Sequence, residues 1–149
     1  MAQKRINIQD LERNTYKAML TMESYVHNAQ VPRFLSELIK IRASQINGCA
    51  YCIDMHSEEA LVAGETGRRI FALSAWRESP LFSEEERSVL QLTEEITRIA
   101  NNGVGDETYE KVLKFFGERI LAQIIMQIVM INSWNRIAVA THQGFGSLS

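Results

Sequence analysis

At 149 residues, 46% apolar and 23% charged, the chain suits one domain with a real core and leaves little room for two. Its net charge is −2 and its basic residues are scattered, which argues against nucleic acid, whose binders carry a basic footprint, and against an anionic membrane surface. The N-terminal Met1-Ala2-Gln3-Lys4-Arg5-Ile6-Asn7 has basic residues but no apolar segment behind them, so no signal peptide is read and a cytoplasmic protein is the default.

No segment alternates with period 2 over useful length, whereas a period near 3.6 recurs throughout, predicting an all-α fold of about seven helices in a single domain over 1–149. The first helix is expected from Ile8 to Ala29, with Leu11, Thr15, Met19, Met22 and Val26 along its apolar face. Pro32 opens a second, reaching about Gln45, with Phe34, Leu38 and Ile41 as its stripe. Asn47-Gly48 breaks it. A third helix starts around Cys49 and runs to Ala63, where Gly64 is a C-terminal stop. A shorter one is expected from about Thr66 to Trp76, followed by the loop Arg77-Glu78-Ser79-Pro80.

Ser83 with Glu86 forms a capping box, and Glu84 and Glu85 add negative charge at the positive end of a fifth helix reaching Ala100. Asp106 is read as the cap of a sixth, ended by Gly117. The last helix, Glu118 to about Thr141, is apolar nearly all round. Its stretch from Ile120 to Ile131 is broken by Gln123 and Gln127 and falls short of the roughly 20 residues a bilayer span needs. One small domain buries such a helix poorly, so part of it is expected in a subunit interface.

The chemistry gathers at one place. Both cysteines of the chain lie in Cys49-Ala50-Tyr51-Cys52, and in a reducing compartment such a pair is more often catalytic or metal-binding than a structural staple. Spacings of three from Cys49 to Cys52 and four from Cys52 to His56 bring the three side chains onto one helical face. Asn47-Gly48 puts the thiols in the first turn, where free N–H groups and the helix dipole favour an anion and lower a thiol pKa from about 8.5. His56 is placed to take the proton of Cys52. A peroxide turns one thiolate into a sulfenic acid, a neighbouring thiol condenses with it, and an external reductant reopens the disulfide.

Glu37, in the preceding helix, is the fourth residue of the set: folded back at Asn47-Gly48, it would orient the His56 ring and relay protons. Zinc is the rival, with Cys49, Cys52, His56 and Glu37 as its four ligands, but structural zinc sites usually draw on separated knuckles and the chain has no second Cys/His cluster. The site is therefore read without metal or cofactor. Two further alternatives stay open: a disulfide reductase or redox-sensing module without peroxide turnover, and a non-redox enzyme using Glu37 and His56 as acid and base.

The stretch from Glu37 through Asn47-Gly48-Cys49-Ala50-Tyr51-Cys52-Ile53-Asp54-Met55-His56 closely resembles the carboxymuconolactone decarboxylase/AhpD-like family. The family's redox branch carries a Glu, a Cys-x-x-Cys and a His at these separations. Trp76-Arg77-Glu78-Ser79-Pro80-Leu81-Phe82-Ser83 and Ile131-Asn132-Ser133-Trp134-Asn135-Arg136 are also similar to that branch, so the resemblance covers roughly residues 30–140. It implies an all-α fold assembled as trimers or as trimers of dimers, that is hexamers, and a thiol-dependent alkylhydroperoxide reductase. Cys52 would attack the peroxide, Cys49 would close the disulfide, and His56 and Glu37 would relay protons. The implied partners are a hydroperoxide and a thiol reductant, together with a peroxiredoxin and a lipoyl-bearing protein in the AhpD proteins themselves.

One position departs from the better-known members, which have a His directly before the second cysteine; here it is Tyr51, a poor base near neutral pH. The decarboxylase branch generally lacks the cysteine pair, so its lactone chemistry is the alternative rather than the expectation.

Among the remaining residues, His27 and His142 are read as surface or interface positions, and Trp76, Trp134 and the methionines as packing. Arg42 and Arg136 are expected to serve a subunit ion pair or an acidic substrate. Asn132 and Asn135 are expected to hydrogen-bond across an interface.

Overall fold

The computed structural model describes residue 3 and residues 5–144. Met1, Ala2 and Lys4 of the basic N-terminal stretch, and residues 145–149 of the single-domain reading, lie outside the described residues. The described chain is helical: α1 (Ile8–Leu11), α2 (Arg13–His27), α3 (Arg33–Asn47), α4 (Ala50–Val62), α5 (Gly67–Ala72), a 3-10 turn (Leu73–Ala75), α6 (Glu84–Thr97) and α7 (Asp106–Ala140). Among the described residues no strand occurs, and no helix is long and apolar enough to cross a membrane.

Helix α3 is the hub. Leu35, Ile39 and Ala43, spaced four apart, pack with Val89 and Leu92 of α6 and with Val112, Leu121, Ile124, Ile128 and Ile131 of α7. Leu38 and Ile41, a quarter-turn away, pack with Ala60, Ile70, Leu73, Trp76, Phe82 and Leu90. A helix wedged between two apolar clusters must be buried on more than one stripe, and burial of each such side chain contributes about 1.5–3 kcal/mol. The expected stripe was too narrow and its first member is wrong: Phe34 is 44% exposed, while Leu35 is buried.

The first expected helix is two. The chain breaks at Glu12 (φ −123°, ψ 56°), and the expected face of Leu11, Thr15 and Met22 is turned outward. The inward face carries Met19 and Val26, as expected, together with Tyr16 and Glu23. The cause is Trp134 of α7, whose ring meets Tyr16 edge-on at 5.4 Å and whose Nε1 donates to Glu23 Oε2 at 2.9 Å. No residue of α2 is fully buried.

The capping box at Ser83 and Glu86 is formed, but α6 ends at Thr97, three residues before Ala100. Asp106 is the first residue of α7 rather than its cap. That role falls to Gly105, whose N–H donates to Glu95 Oε2 at 2.9 Å while Thr108 donates to Glu95 Oε1 at 2.7 Å. The expected break between the last two helices is a change of direction at Gly117, whose φ of 77° belongs to glycine. Arg42 pairs within the chain, its Nε donating to Glu94 Oε1 at 2.9 Å, and Arg136 donates to Asn132, so the described structure uses both internally.

Candidate active site

The turn between α3 and α4 sets the position of everything that follows. Gly48 adopts the left-handed conformation (φ 66°), which lets the chain reverse immediately after Asn47 and closes α3 with an N–H bond from Cys49 to Ser44 O at 3.0 Å. Asn47 is clamped by two amides of α7: its Nδ2 donates to Asn132 Oδ1 and Asn135 Oδ1, both at 3.0 Å. Asn135 Nδ2 donates in turn to Ser44 Oγ at 3.0 Å, and Asn132 Nδ2 donates to Thr97 Oγ1 at 3.0 Å. The expectation that Asn132 and Asn135 reach across an interface is corrected. They satisfy buried polar groups of their own chain, because the turn brings those groups against α7.

Cys49 stands one position earlier than expected. It is the N-cap of α4, in an extended conformation, and its Sγ accepts the Cys52 N–H at 3.3 Å. It is joined to Cys52 in a disulfide (S–S 2.09 Å, Cα–Cα 5.3 Å), and both residues are buried.

His56 lies one turn below Cys52, on the same helix. Its Nδ1 is 2.8 Å from Glu59 Oε2 and 3.5 Å from Glu37 Oε2. Glu37 is buried in α3, and its other oxygen, Oε1, accepts from the buried ammonium of Lys40 at 3.2 Å. Burial alone raises the Glu37 pKa; the His56 N–H and the Lys40 ammonium outweigh it and hold the carboxyl below its ordinary range. Glu37 Oε2 makes only this long approach to the ring nitrogen, 3.5 Å, and has no closer hydrogen-bond partner among the described residues, since Glu59 stands nearer the same nitrogen at 2.8 Å.

A cavity of about 280 Å³ opens over these groups. Its floor is Cys52, Met55, His56 and Glu59 of α4 with Lys40 of α3, and Tyr51 stands at its side. One wall is α7, through Trp134, Ile137 and Ala138; the other is α2, through Tyr16, Leu20, Glu23 and His27. Cys49 and Glu37 do not line it: they stand behind Cys52 and His56. Trp134, read as packing, is a cavity wall, and exposed His27 sits on the cavity as well. Trp76 is a packing residue, buried with its Nε1 donating to Glu94 Oε1 at 2.9 Å.

All four expected site residues, Cys49, Cys52, His56 and Glu37, come together. Sequence reasoning missed Glu59 and Lys40, although each carries a spacing signal, three residues from His56 and from Glu37 respectively, the interval at which helical side chains meet. The contribution of α2 has no such signal, because it depends on how that helix docks on Trp134. Glu37, His56 and Glu59 also bring three ligand atoms within 4.8 Å of one another, a set with the makings of a cation site.

A disulfide-bonded Cys-x-x-Cys at a helix N-terminus, with an imidazole and a buried carboxylate beside it in an all-helical chain, fits the AhpD-like fold. The chain belongs to the carboxymuconolactone decarboxylase family, whose model matches residues 13–95. It is 42% identical over 137 residues to the uncharacterized protein YdfG of Bacillus subtilis (strain 168), covering 92% of this chain and 93% of the relative. The uncharacterized protein YnjA of Escherichia coli (strain K12) is 27% identical over 95 residues, 64% of this chain and 52% of that protein. In structure the chain is similar to a protein of unknown function from Agrobacterium tumefaciens that is provisionally described as the antioxidant defence protein AhpD. The TM-score is 0.93 at 36% identity, covering 97% of this chain and 99% of that one. The debrominase Bmp8 shares the fold, with a TM-score of 0.82 at 18% identity over 93% of this chain and 75% of its own.

Proposed function

We propose that the protein is a thiol-dependent alkylhydroperoxide reductase in which Cys52 attacks the peroxide and Cys49 resolves the product. The observation that carries this reading is the asymmetry of the pair: Cys52 lines the cavity above His56, whereas Cys49 sits behind it at the helix cap. In the reduced protein His56 takes the Cys52 proton, and the thiolate attacks one peroxide oxygen. The O–O bond breaks, Cys52 becomes a sulfenic acid, and the departing alkoxide takes the proton back through His56 to leave as an alcohol. Cys49 then attacks the sulfenic sulfur, water leaves, and the disulfide forms. Two electrons have passed from the thiol pair to the peroxide.

A dithiol returns those electrons by attacking Cys52 from the cavity and expelling Cys49. The Cys52 N–H that caps Cys49 Sγ favours it as leaving thiolate, and leaving groups of lower pKa depart faster. Glu37, held ionised, supports the charged imidazolium. A lipoyl group is the reductant this reading favours, with a peroxiredoxin as an acceptor of electrons. The exposed apolar residues Met126, Val129 and Val139 of α7 support a homo-oligomer, trimer or hexamer, as part of the same reading.

The test is steady-state consumption of an organic hydroperoxide with a dithiol as reductant. The reading expects turnover that Cys52→Ser abolishes. Reduction of disulfide substrates without any peroxide consumption would favour the reductase alternative. Turnover of a lactone surviving loss of both cysteines would favour the acid–base one.

A further inference from the structure

We infer that Glu37, His56 and Glu59 form a divalent-cation site, suited to zinc, which the reduced Cys52 completes, so that metal binding is coupled to the redox state of the disulfide. Three observations converge. The ligand atoms of Glu37, His56 and Glu59 lie within 4.8 Å of one another. Nitrogen and oxygen ligands about 2.0–2.1 Å from a tetrahedral zinc lie about 3.3 Å from each other; His56 Nδ1 is 2.8 Å from Glu59 Oε2 and 3.5 Å from Glu37 Oε2. Glu37 Oε2 is a buried carboxylate oxygen with no hydrogen-bond partner among the described residues, and it faces the same ring nitrogen. Buried oxygens are normally satisfied, so an orphan beside an imidazole and a second carboxylate marks a place for a cation.

The third observation is the cavity. His56, Glu59 and Cys52 line it together, giving an ion a route in and placing the Cys52 sulfur one helical turn from His56. Zinc takes nitrogen, carboxylate and thiolate ligands together in four-coordinate sites. In the disulfide that sulfur has no thiolate to offer; after reduction it does, and the fourth position fills. Lys40 opposes a cation by charge, but it engages Oε1 of Glu37 and leaves Oε2 to the ring. The carboxylates of Glu37 and Glu59 outnumber the one ammonium of Lys40.

The site differs from a Cys49/Cys52 dithiolate centre in needing Glu59 and not Cys49. Metal binding at this site follows from the geometry, whatever reaction the cysteines perform. One consequence rests on the peroxidase reading: zinc on His56 Nδ1 and Cys52 Sγ withholds both proton acceptor and nucleophile, so bound metal silences the reduced enzyme and shields its thiol from over-oxidation.

The experiment is zinc titration of metal-stripped full-length protein against a chromogenic chelator, in the reduced and the disulfide states. The expected result is one zinc per chain in the reduced state, bound at least about tenfold more weakly in the disulfide state. Glu59→Ala and Cys52→Ser should each weaken binding by at least about tenfold, while Cys49→Ser retains it. Glu59 is partly exposed, so its variant keeps the core intact; circular dichroism verifies this. No zinc uptake by the reduced protein, or uptake unchanged in Glu59→Ala, overturns the proposal, as does equal loss in Cys49→Ser and Cys52→Ser. Peroxide consumption by the metal-free protein is scored separately: zinc uptake without turnover leaves this site standing and refutes the peroxidase reading.

Discussion

His56 and Glu59 sit three residues apart on α4 and share the ring proton at 2.8 Å, while the buried Glu37 waits at 3.5 Å on the same nitrogen. Nδ1 therefore has two acceptors of different character. Glu59 is partly exposed and solvated; Glu37 is buried and held ionised by Lys40 and His56.

Their roles should separate on substitution. Glu37→Gln removes the buried charge that favours an imidazolium, and the rate of thiol oxidation by organic hydroperoxide should fall by about 10²-fold, the lower end for a general acid–base contribution. Glu59→Gln should cost about tenfold or less, because Glu37 can take over the ring N–H. Stopped-flow rates across pH 5–9 check both. Equal losses in the two variants would contradict this division.

Away from the site, Glu94 should govern acid stability. Burial raises its pKa, but hydrogen bonds from Trp76, Arg77 and Arg42 outweigh that and hold it below the ordinary value of 4.5. A depressed carboxyl stabilises the fold above its unfolded pKa, and that contribution is lost as pH falls through the folded one. Glu94→Gln should therefore be less stable than the parent by about 3 kcal/mol at pH 7, with the gap closing below pH 4.5. Urea unfolding at a series of pH values measures it.

Asn135 is fully buried, and its amide ties Asn47 to Ser44 beneath the Cys49 turn. Asn135→Ala leaves the Ser44 hydroxyl without its donor and halves the clamp on Asn47. The expected cost is about 1–3 kcal/mol, read as a lowered Tm.

Helix α2 walls the cavity yet buries none of its residues fully, so it should open before the core does. Hydrogen exchange should be faster over residues 13–27 than over α3. Trp134→Phe, which loses the bond to Glu23, should speed α2 exchange further and leave α3 unchanged. Exchange in α2 as slow as in α3 would count against a loosely held wall.

These features differ in how openly the chain announces them. The α3–turn–α4 unit is readable because its information is local: Gly48 stops one helix, the spacing from Cys49 to His56 defines one face of the next, and Ser83 with Glu86 caps another. What escapes is set by partners distant in sequence. Tyr16 and Glu23 face inward because Trp134 sits opposite, over a hundred residues on. Phe34 and Leu35 exchange places because α3 lies between two clusters rather than on one surface. Asn132 and Asn135 look like interface amides until the turn at Asn47 folds beneath them.

In the proposed mechanism Cys52 is the sulfur that meets the peroxide. Its most direct test is a single turnover of reduced Cys49→Ser with one equivalent of cumene hydroperoxide, trapping sulfenic acid and locating it by mass spectrometry. Rapid consumption of the peroxide with the label on Cys52, and none in Cys52→Ser, is expected. Undiminished consumption by Cys52→Ser, or a thiol at position 52 that stays unoxidised, would contradict it.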